Sequence, residues 1–196
     1  DVPGALAQVV PERVTAAGNG AVASATFVGT RPNGELWVYL ETIGGGSGAR
    51  ATKDGLDGVH VHMTNTSNLP AEALEIEYPL TLLRYEMVDG SGGAGKFFGG
   101  MGLRRVYRAE ADCRVKVDGS RMRSQPWGLA GGSPGSSGSY AFSDDVEGIQ
   151  NGIAPLKAGQ MITVITPGAG GYGPQIARDT AAKQRDVAEK RVRASS

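Results

Sequence analysis

The only two imidazoles in 196 residues, His60 and His62, stand two positions apart in the stretch GVHVHMTNTSN. On an extended strand, residues two apart share a face and lie about 7 Å from one another. A strand over 59–64 would therefore turn His60, His62 and Thr64 to one side and Val59, Val61 and Met63 to the other. Two imidazoles so placed can reach one metal ion, or one can hold it while the other moves a proton. Asp54 and Asp57 precede them and could orient a ring by accepting its N–H. Asn65 and Asn68 follow and could polarise a carbonyl oxygen. Two histidines do not complete a metal site, so further ligands would have to be Asp, Glu or Cys from elsewhere in the chain or from another chain. The plain alternative is a polar strand face whose histidines hydrogen-bond within it. Glu41 stands just before Gly44-Gly45-Gly46, where a backbone without Cβ atoms lets a carboxylate meet a substrate closely. It could equally pair with Arg50 or Lys53. Cys113 has no histidine near it in sequence and reads as a packing residue. Trp37 and Trp127 read as core or interface anchors.

Two glycine motifs invite a nucleotide reading and fail it. Residues 90–96, GSGGAGK, fit the first seven positions of a phosphate-binding loop, but the hydroxyl that should follow is Phe97. The glycines after it make a poor helix, and a helix is needed to aim its N-terminus at the phosphates. Residues 168–173, GAGGYG, match G-x-G-x-x-G after a strand, yet the second strand and acidic residue of a dinucleotide fold do not follow. Both read as structural loops.

The elements that would position these groups are mostly strands. Residues 21–28 and 35–43 alternate around Arg31-Pro32-Asn33-Gly34, in which Pro presets φ and Asn-Gly tolerates positive φ. That predicts a hairpin. Residues 80–88, 103–109, 114–117 and 161–166 also read as strands, the second and third flanking an acidic turn. Residues 44–58, 90–102 and 127–140 are long glycine-rich loops. Residues 2–14 allow a short helix at best, broken by Pro11. Residues 70–74 allow one or two turns with Asn68 as N-cap. The charged stretch 175–193 favours a helix whose apolar side is thin (Ala177, Ala181, Val187, Ala188), suited to weak docking or to another chain. The expected class is mainly β (α+β), with glycine-loop-rich sheets, few short helices and a C-terminal helix. It divides into a β-rich part, 1–174, and a charged tail, 175–196.

The 20 Lys and Arg balance the 20 Asp and Glu, which gives no support to nucleic acid or a membrane surface as partner. The 31 glycines come in clusters rather than in a collagen period. A single cysteine rules out an intrachain disulfide and suits a cytoplasmic setting. No apolar run approaches the roughly 18 residues of a membrane span. The opening Asp1 in place of Met suggests a processed product or a piece of a longer protein.

Taken together, YLETIGGGSGAR, DGLDGVHVHMTNTSNLPAEALEIEYPL, SGGAGKFFGGMGLRRVYR, RSQPWGLAGGSPG and ITPGAGGYGP resemble, in the same order, the C-terminal region of the hydantoinase B/oxoprolinase family. The resemblance covers roughly residues 1–175. It implies a subunit of an ATP-dependent complex that hydrolyses cyclic amides such as hydantoins, 5-oxoproline or lactams. Related complexes carboxylate ketones such as acetone and acetophenone, and a non-catalytic assembly role is a further alternative. ATP and Mg would be bound by a hydantoinase-A-type partner. A divalent metal ion, Zn or Mn, would be held mostly by a chain carrying the N-terminal half of a B-type subunit, which is lacking here. On this reading His60 or His62 acts as base or ligand, Asn65 steadies the oxyanion, and Glu41 lines the site.

Overall fold

A computed structural model of the chain describes residues 2–21, 23–62, 64–148 and 153–192. It opens with a short helix, α1 (Val2–Leu6), and a single 3₁₀ turn at Pro11–Arg13. The expected hairpin follows as β1 (Ala23–Thr30) and β2 (Leu36–Thr42), antiparallel, with Gly34 at φ +88° in the turn. Helix α2 (Ala71–Glu77) leads into β3 (Leu80–Met87), and β4 (Leu103–Ala109) and β5 (Cys113–Gly119) come next. The remaining strands are β6 (Ser139–Phe142), β7 (Ile153–Leu156) and β8 (Met161–Ile165), before the tail helix α3 (Thr180–Ala188).

The strands form two antiparallel four-stranded sheets, ordered β2-β1-β5-β7 and β3-β4-β8-β6. The fold is mainly β, as expected. The acidic turn between β4 and β5 carries the chain from one sheet to the other rather than closing a hairpin. Two strands had no clear sequence signal. β6 begins at the end of the stretch 127–140 read as loop, and β7 contains Pro155, tolerable because β7 is an edge strand.

Period-two burial builds the core between the sheets. Ala23, Ala25 and Phe27 of β1, Trp37 and Tyr39 of β2, and Cys113, Val115 and Val117 of β5 face Leu103, Tyr107 and Ala109 of β4 and Ile162 and Val164 of β8. Aromatic rings join the layers, Phe27 to Tyr107 at 5.2 Å and Tyr39 to Tyr78 at 4.9 Å between centroids. Burial raises the Cys113 thiol to about 11, in keeping with a packing role.

At one end of the sandwich the glycine loops pack on one another through their backbones. Gly100 donates to Ser47 O (3.0 Å), Ala49 to Gly170 O (3.0 Å), Ala169 to Gly100 O (3.0 Å) and Gly93 to Ala169 O (2.7 Å). A Cβ on Gly46 would run into the Gly100 carbonyl, and one on Gly99 into that of Ala169. Glycine is required there by close approach of main chains.

Two helix expectations need correction. α2 starts after Pro70 with no side-chain cap, and the Asn68 amide bonds to the Tyr85 hydroxyl instead. The tail does not dock through its thin apolar side. Its buried residues are Ala182 and Asp186, one turn apart, and Ala181, Val187 and Ala188 are exposed. Arg178 holds it down, buried, donating to Asp186 (2.8 and 2.7 Å), to Asp54 (2.6 and 2.9 Å) and to Lys96 O (3.1 Å). Arg191 adds a pair to Asp57 at 2.6 Å. The tail is thus bound to the chain's own loops by ions. Among the described residues no helix is long and apolar enough to cross a membrane.

Candidate functional site

The segment bearing the histidines is not a strand. Val59 pairs with Gly45 in an isolated bridge (2.7 and 3.0 Å), and the Asn19 amide donates to Val59 O at 3.5 Å. Beyond that point the backbone leaves the extended region, with His62 at φ +61° and Asn65 at φ +39°. Left-handed conformations are uncommon outside glycine but several-fold enriched in Asn and His. The two-residue alternation therefore breaks between the imidazoles, and they take different environments.

His60 is half-buried behind the turn. Its Nδ1 lies 3.0 Å from Thr64 Oγ1, and its ring nitrogens lie 3.4–3.5 Å from Thr66 Oγ1, which in turn contacts Thr42 Oγ1 at 2.6 Å. This hydroxyl chain ties the turn to the end of β2. His62 is exposed and lines a cavity of about 430 Å³, together with Thr15, Ala17, Ser120, Arg121 and Trp127. The cavity walls are anchored by main-chain bonds, from Ala17 N to Trp127 O (3.0 Å) and from Gly138 N to Arg121 O (3.1 Å). A mostly apolar concavity with an imidazole, a hydroxyl, a guanidinium and an indole on its rim has the make-up of a small-molecule site. Asn65 is exposed three residues beyond His62 and does not line this cavity.

Glu41 has quite different neighbours from those expected. It faces neither the glycine loop nor Arg50 nor Lys53. Its carboxylate is buried on the inner face of β2, ion-paired with Arg105 of β4 and accepting from the Tyr107 hydroxyl at 2.7 Å. The guanidinium also donates to Tyr107 Oη (3.1 Å) and lies 4.0 Å from the centre of the Tyr85 ring. Burial acts to lower the Arg105 pKa, yet Tyr107 and Glu41 hold it above its ordinary value. Burial and the Glu41 charge push Tyr39 and Tyr107 well above the usual phenol range. Glu41 is thus a brace between the sheets.

Asp54 and Asp57 do not orient an imidazole. Asp54 accepts from Phe98 N (2.8 Å) and Arg178, and Asp57 from Met101 N (2.8 Å) and Arg191. Burial works against ionisation of Asp54, but its hydrogen bonds to Arg178 hold it below its ordinary value. Among the described residues no three His, Cys, Asp or Glu side chains converge as metal ligands. The diverging histidines and committed aspartates do not fit a metal site made by this chain, so no chemistry is routed through one.

The two glycine motifs bind each other. Phe97 N donates to Tyr172 O (2.9 Å), Tyr172 N to Phe97 O (2.8 Å) and Lys96 N to Gly173 O (3.1 Å). Every amide of 168–173 and those of Gly90, Ser91, Gly93 and Lys96 are taken by main-chain carbonyls, so neither motif presents an unbroken run of amides to a phosphate.

Sequence reading missed Ser120 and Arg121, which sit in an unpatterned turn. It also missed Arg105, although Leu103, Arg105, Tyr107 and Ala109 alternate onto one face and place a charge among core residues.

A two-sheet sandwich capped by interlocked glycine loops, with a cavity at the left-handed histidine turn, is the module this chain contributes. Residues 2–175 match the hydantoinase B/oxoprolinase family, and the chain belongs to that family. It is 40% identical over 191 residues to an uncharacterised protein of Methanocaldococcus jannaschii, covering 96% of this chain and 33% of that one. It is 38% identical over 146 residues to 5-oxoprolinase 1 of Arabidopsis thaliana, covering 72% of this chain and 12% of the plant enzyme. Among solved structures it is similar to the ATP-dependent caprolactamase of Pseudomonas jessenii, with TM-score 0.71, 28% identity, and coverage of 96% of this chain and 35% of that one. It also shares its fold with an acetone carboxylase chain, at TM-score 0.70 and 19% identity, covering 94% of this chain and 30% of the other. The chain spans about one third of the length of the archaeal relative.

Proposed function

We propose that this chain forms part of a hydantoinase-B-type subunit in an ATP-dependent complex that opens cyclic amides, and that the cavity at His62 is its share of the hydrolytic site. The observation that carries the reading is that cavity, about 430 Å³ with His62, Ser120, Arg121 and Trp127 on its walls. Its size suits a small lactam, hydantoin or 5-oxoproline ring. Trp127 offers an apolar face to the ring. His62, the exposed imidazole, is placed to take a proton from an attacking water or to return one to the leaving nitrogen. Arg121 and Ser120 offer hydrogen-bond donors to an oxyanion, and Asn65 can join them only if the substrate extends beyond the cavity. His60 acts at one remove, holding the turn through Thr64 and Thr66.

ATP would be used by a partner of the hydantoinase A type, since most amides of the two glycine motifs here are already taken by main-chain carbonyls. Any divalent ion the complex employs would be held by another polypeptide segment. The names of the relatives support this reading, as 5-oxoprolinase and caprolactamase subunit beta both belong to cyclic-amide chemistry. The likeness to acetone carboxylase concerns the fold.

The test is reconstitution of the complex and assay of ATP-dependent ring opening on 5-oxoproline, hydantoin and caprolactam. His62→Ala should lower kcat by about a hundredfold or more, as loss of a general acid–base does, with assembly intact. Undiminished turnover in that variant would overturn the role of the cavity. Bicarbonate fixation onto a ketone without ring opening would move the chain to the carboxylase reading.

A further inference from the structure

We propose that the cleft between the tail helix and two of the glycine loops is a second binding site, specific for a phosphate-bearing small molecule and held by Lys53, Lys96 and Arg185. The proposal is independent of the hydrolytic reading and uses none of its residues. The cleft encloses about 380 Å³. Its cations come from three separate places: Lys53 from the loop after β2, Lys96 from the end of the GSGGAGK stretch, and Arg185 from α3.

The charge is local, for the chain as a whole balances 20 basic against 20 acidic residues. The other charged groups in the cleft are already engaged. Asp54 is bound to Arg178, Arg178 is shared between Asp54 and Asp186, and Asp179 Oδ1 accepts from Ala182 N at 3.1 Å to cap α3. The helix N-terminus is thereby occupied by its own carboxylate, so the site rests on side-chain cations. Among the described residues, Lys53, Lys96 and Arg185 have no carboxylate within ion-pair distance.

Their backbones are fixed. Lys53 O accepts from Arg50 N (3.0 Å), Lys96 N donates to Gly173 O (3.1 Å) and Lys96 O accepts from Arg178 (3.1 Å). Phe97 forms part of the same wall, with Lys96 Nζ 5.4 Å from its ring centre. Lysines anchored on converging loops meet phosphate as point charges, and an arginine adds a bidentate edge. Less the Asp179 carboxylate and the charge by which Asp54 and Asp186 together exceed Arg178, the three cations leave the cleft net positive, and their exposed heads suit a phosphate ester or diphosphate better than a lone carboxylate. The lysine that ends the abortive phosphate loop thus has a ligand-binding use that involves none of that loop's amides.

The experiment is an NMR amide titration of the full chain with inorganic phosphate, pyrophosphate and ATP at low ionic strength. Saturable shifts are expected at Thr52, Lys53, Lys96, Phe97 and Ala182, with pyrophosphate and ATP binding more tightly than phosphate. Added sodium chloride should weaken them through screening. The double variant Lys53→Ala/Lys96→Ala should lose about tenfold or more in affinity, equivalent to 1.4 kcal/mol. Its spectrum away from the cleft should overlay that of the parent, because both side chains are exposed. Arg185→Glu, on a different element, should weaken binding independently. No saturable shift below about 10 mM pyrophosphate, a value corresponding to negligible affinity, overturns the proposal. So does undiminished binding in these variants.

Discussion

Replacing Glu41 by Gln removes one charge from a pair of which Arg105 is 1% and Glu41 5% exposed. The guanidinium then keeps the Tyr107 hydroxyl and the face of Tyr85, but no counter-charge. Among the described residues its Nε and Nη2 find no hydrogen-bond partner even in the intact protein. Little is therefore at hand to compensate the buried cation. Breaking a buried pair from one side costs about 3–5 kcal/mol, against a total stability of about 5–15 kcal/mol for a domain. With a urea slope of about 2 kcal/mol per molar, the unfolding midpoint should fall by about 1.5–2.5 M. The companion variant Glu41→Leu/Arg105→Met removes both charges and leaves apolar volume between the sheets. It should return to within about 1 kcal/mol of the parent, since buried pairs often exchange for packed hydrophobes without loss. Urea unfolding followed by tryptophan fluorescence measures all three proteins. A single variant that costs less than about 1 kcal/mol would refute the brace, as that is the range of a solvated surface pair. A double variant as unstable as the single one would refute the role assigned to the unpaired charge.

Arg178→Ala should release α3, because a nine-residue helix with two buried residues cannot hold itself folded. Hydrogen exchange should rise over 178–191 while the sandwich stays protected, and unchanged protection there contradicts ionic docking. The same tail should loosen in acid. Asp54 has a folded pKa below its ordinary 3.8, so its stabilising effect is complete above that value and is lost as pH falls through the lower, folded one. Exchange over the tail should accordingly increase only below about pH 4, near the unfolded carboxyl value. Cys113, buried and raised to about 11, should stay unmodified by a thiol reagent at neutral pH until urea unfolds the chain. Gly99→Ala should destabilise by about 1–3 kcal/mol, the cost of overpacking, since its Cβ would meet the Ala169 main chain.

Much of the sheet architecture was legible because it rests on local signals. Arg31–Gly34 has turn chemistry of its own, and β1, β2, β4 and β8 alternate cleanly. The partners of those strands were not legible, since a short acidic turn such as that before Cys113 can close a hairpin or cross between sheets. The geometry of the candidate site was only partly legible. The residue types around His62 marked the segment, but one left-handed residue undoes every side assignment made by alternation, and positive φ at a histidine has no sequence signature. Asp54 and Asp57 misled because proximity in sequence to the histidines says nothing about Arg178 and Arg191, more than 120 residues away. The tail misled in the same way. Its apolar stripe was weighed, while Asp186 and Arg178, which hold it, carry no local signal that sets them apart from the other charges of the tail.

The loop bundle also bears on how the chain reaches this state. Its hydrogen bonds join Ala17 to Gly170, Ser47 to Gly100, Ala94 to Ser133 and Leu129 to Gly171, so the segment before β1, the connections β2–β3, β3–β4 and β5–β6 and the stretch after β8 must meet before it closes. Contacts of such sequence separation carry a large loop-closure entropy and slow the search. The β1–β2 hairpin can form early, being local. The bundle, and with it the wall that carries His62, closes only once these distant segments have met, which the early hairpin does not require. A destabilised variant would therefore lose the cavity at His62 in a partially unfolded species that still keeps much of its sheet, and refolding should recover sheet signal before exchange protection of the loop amides.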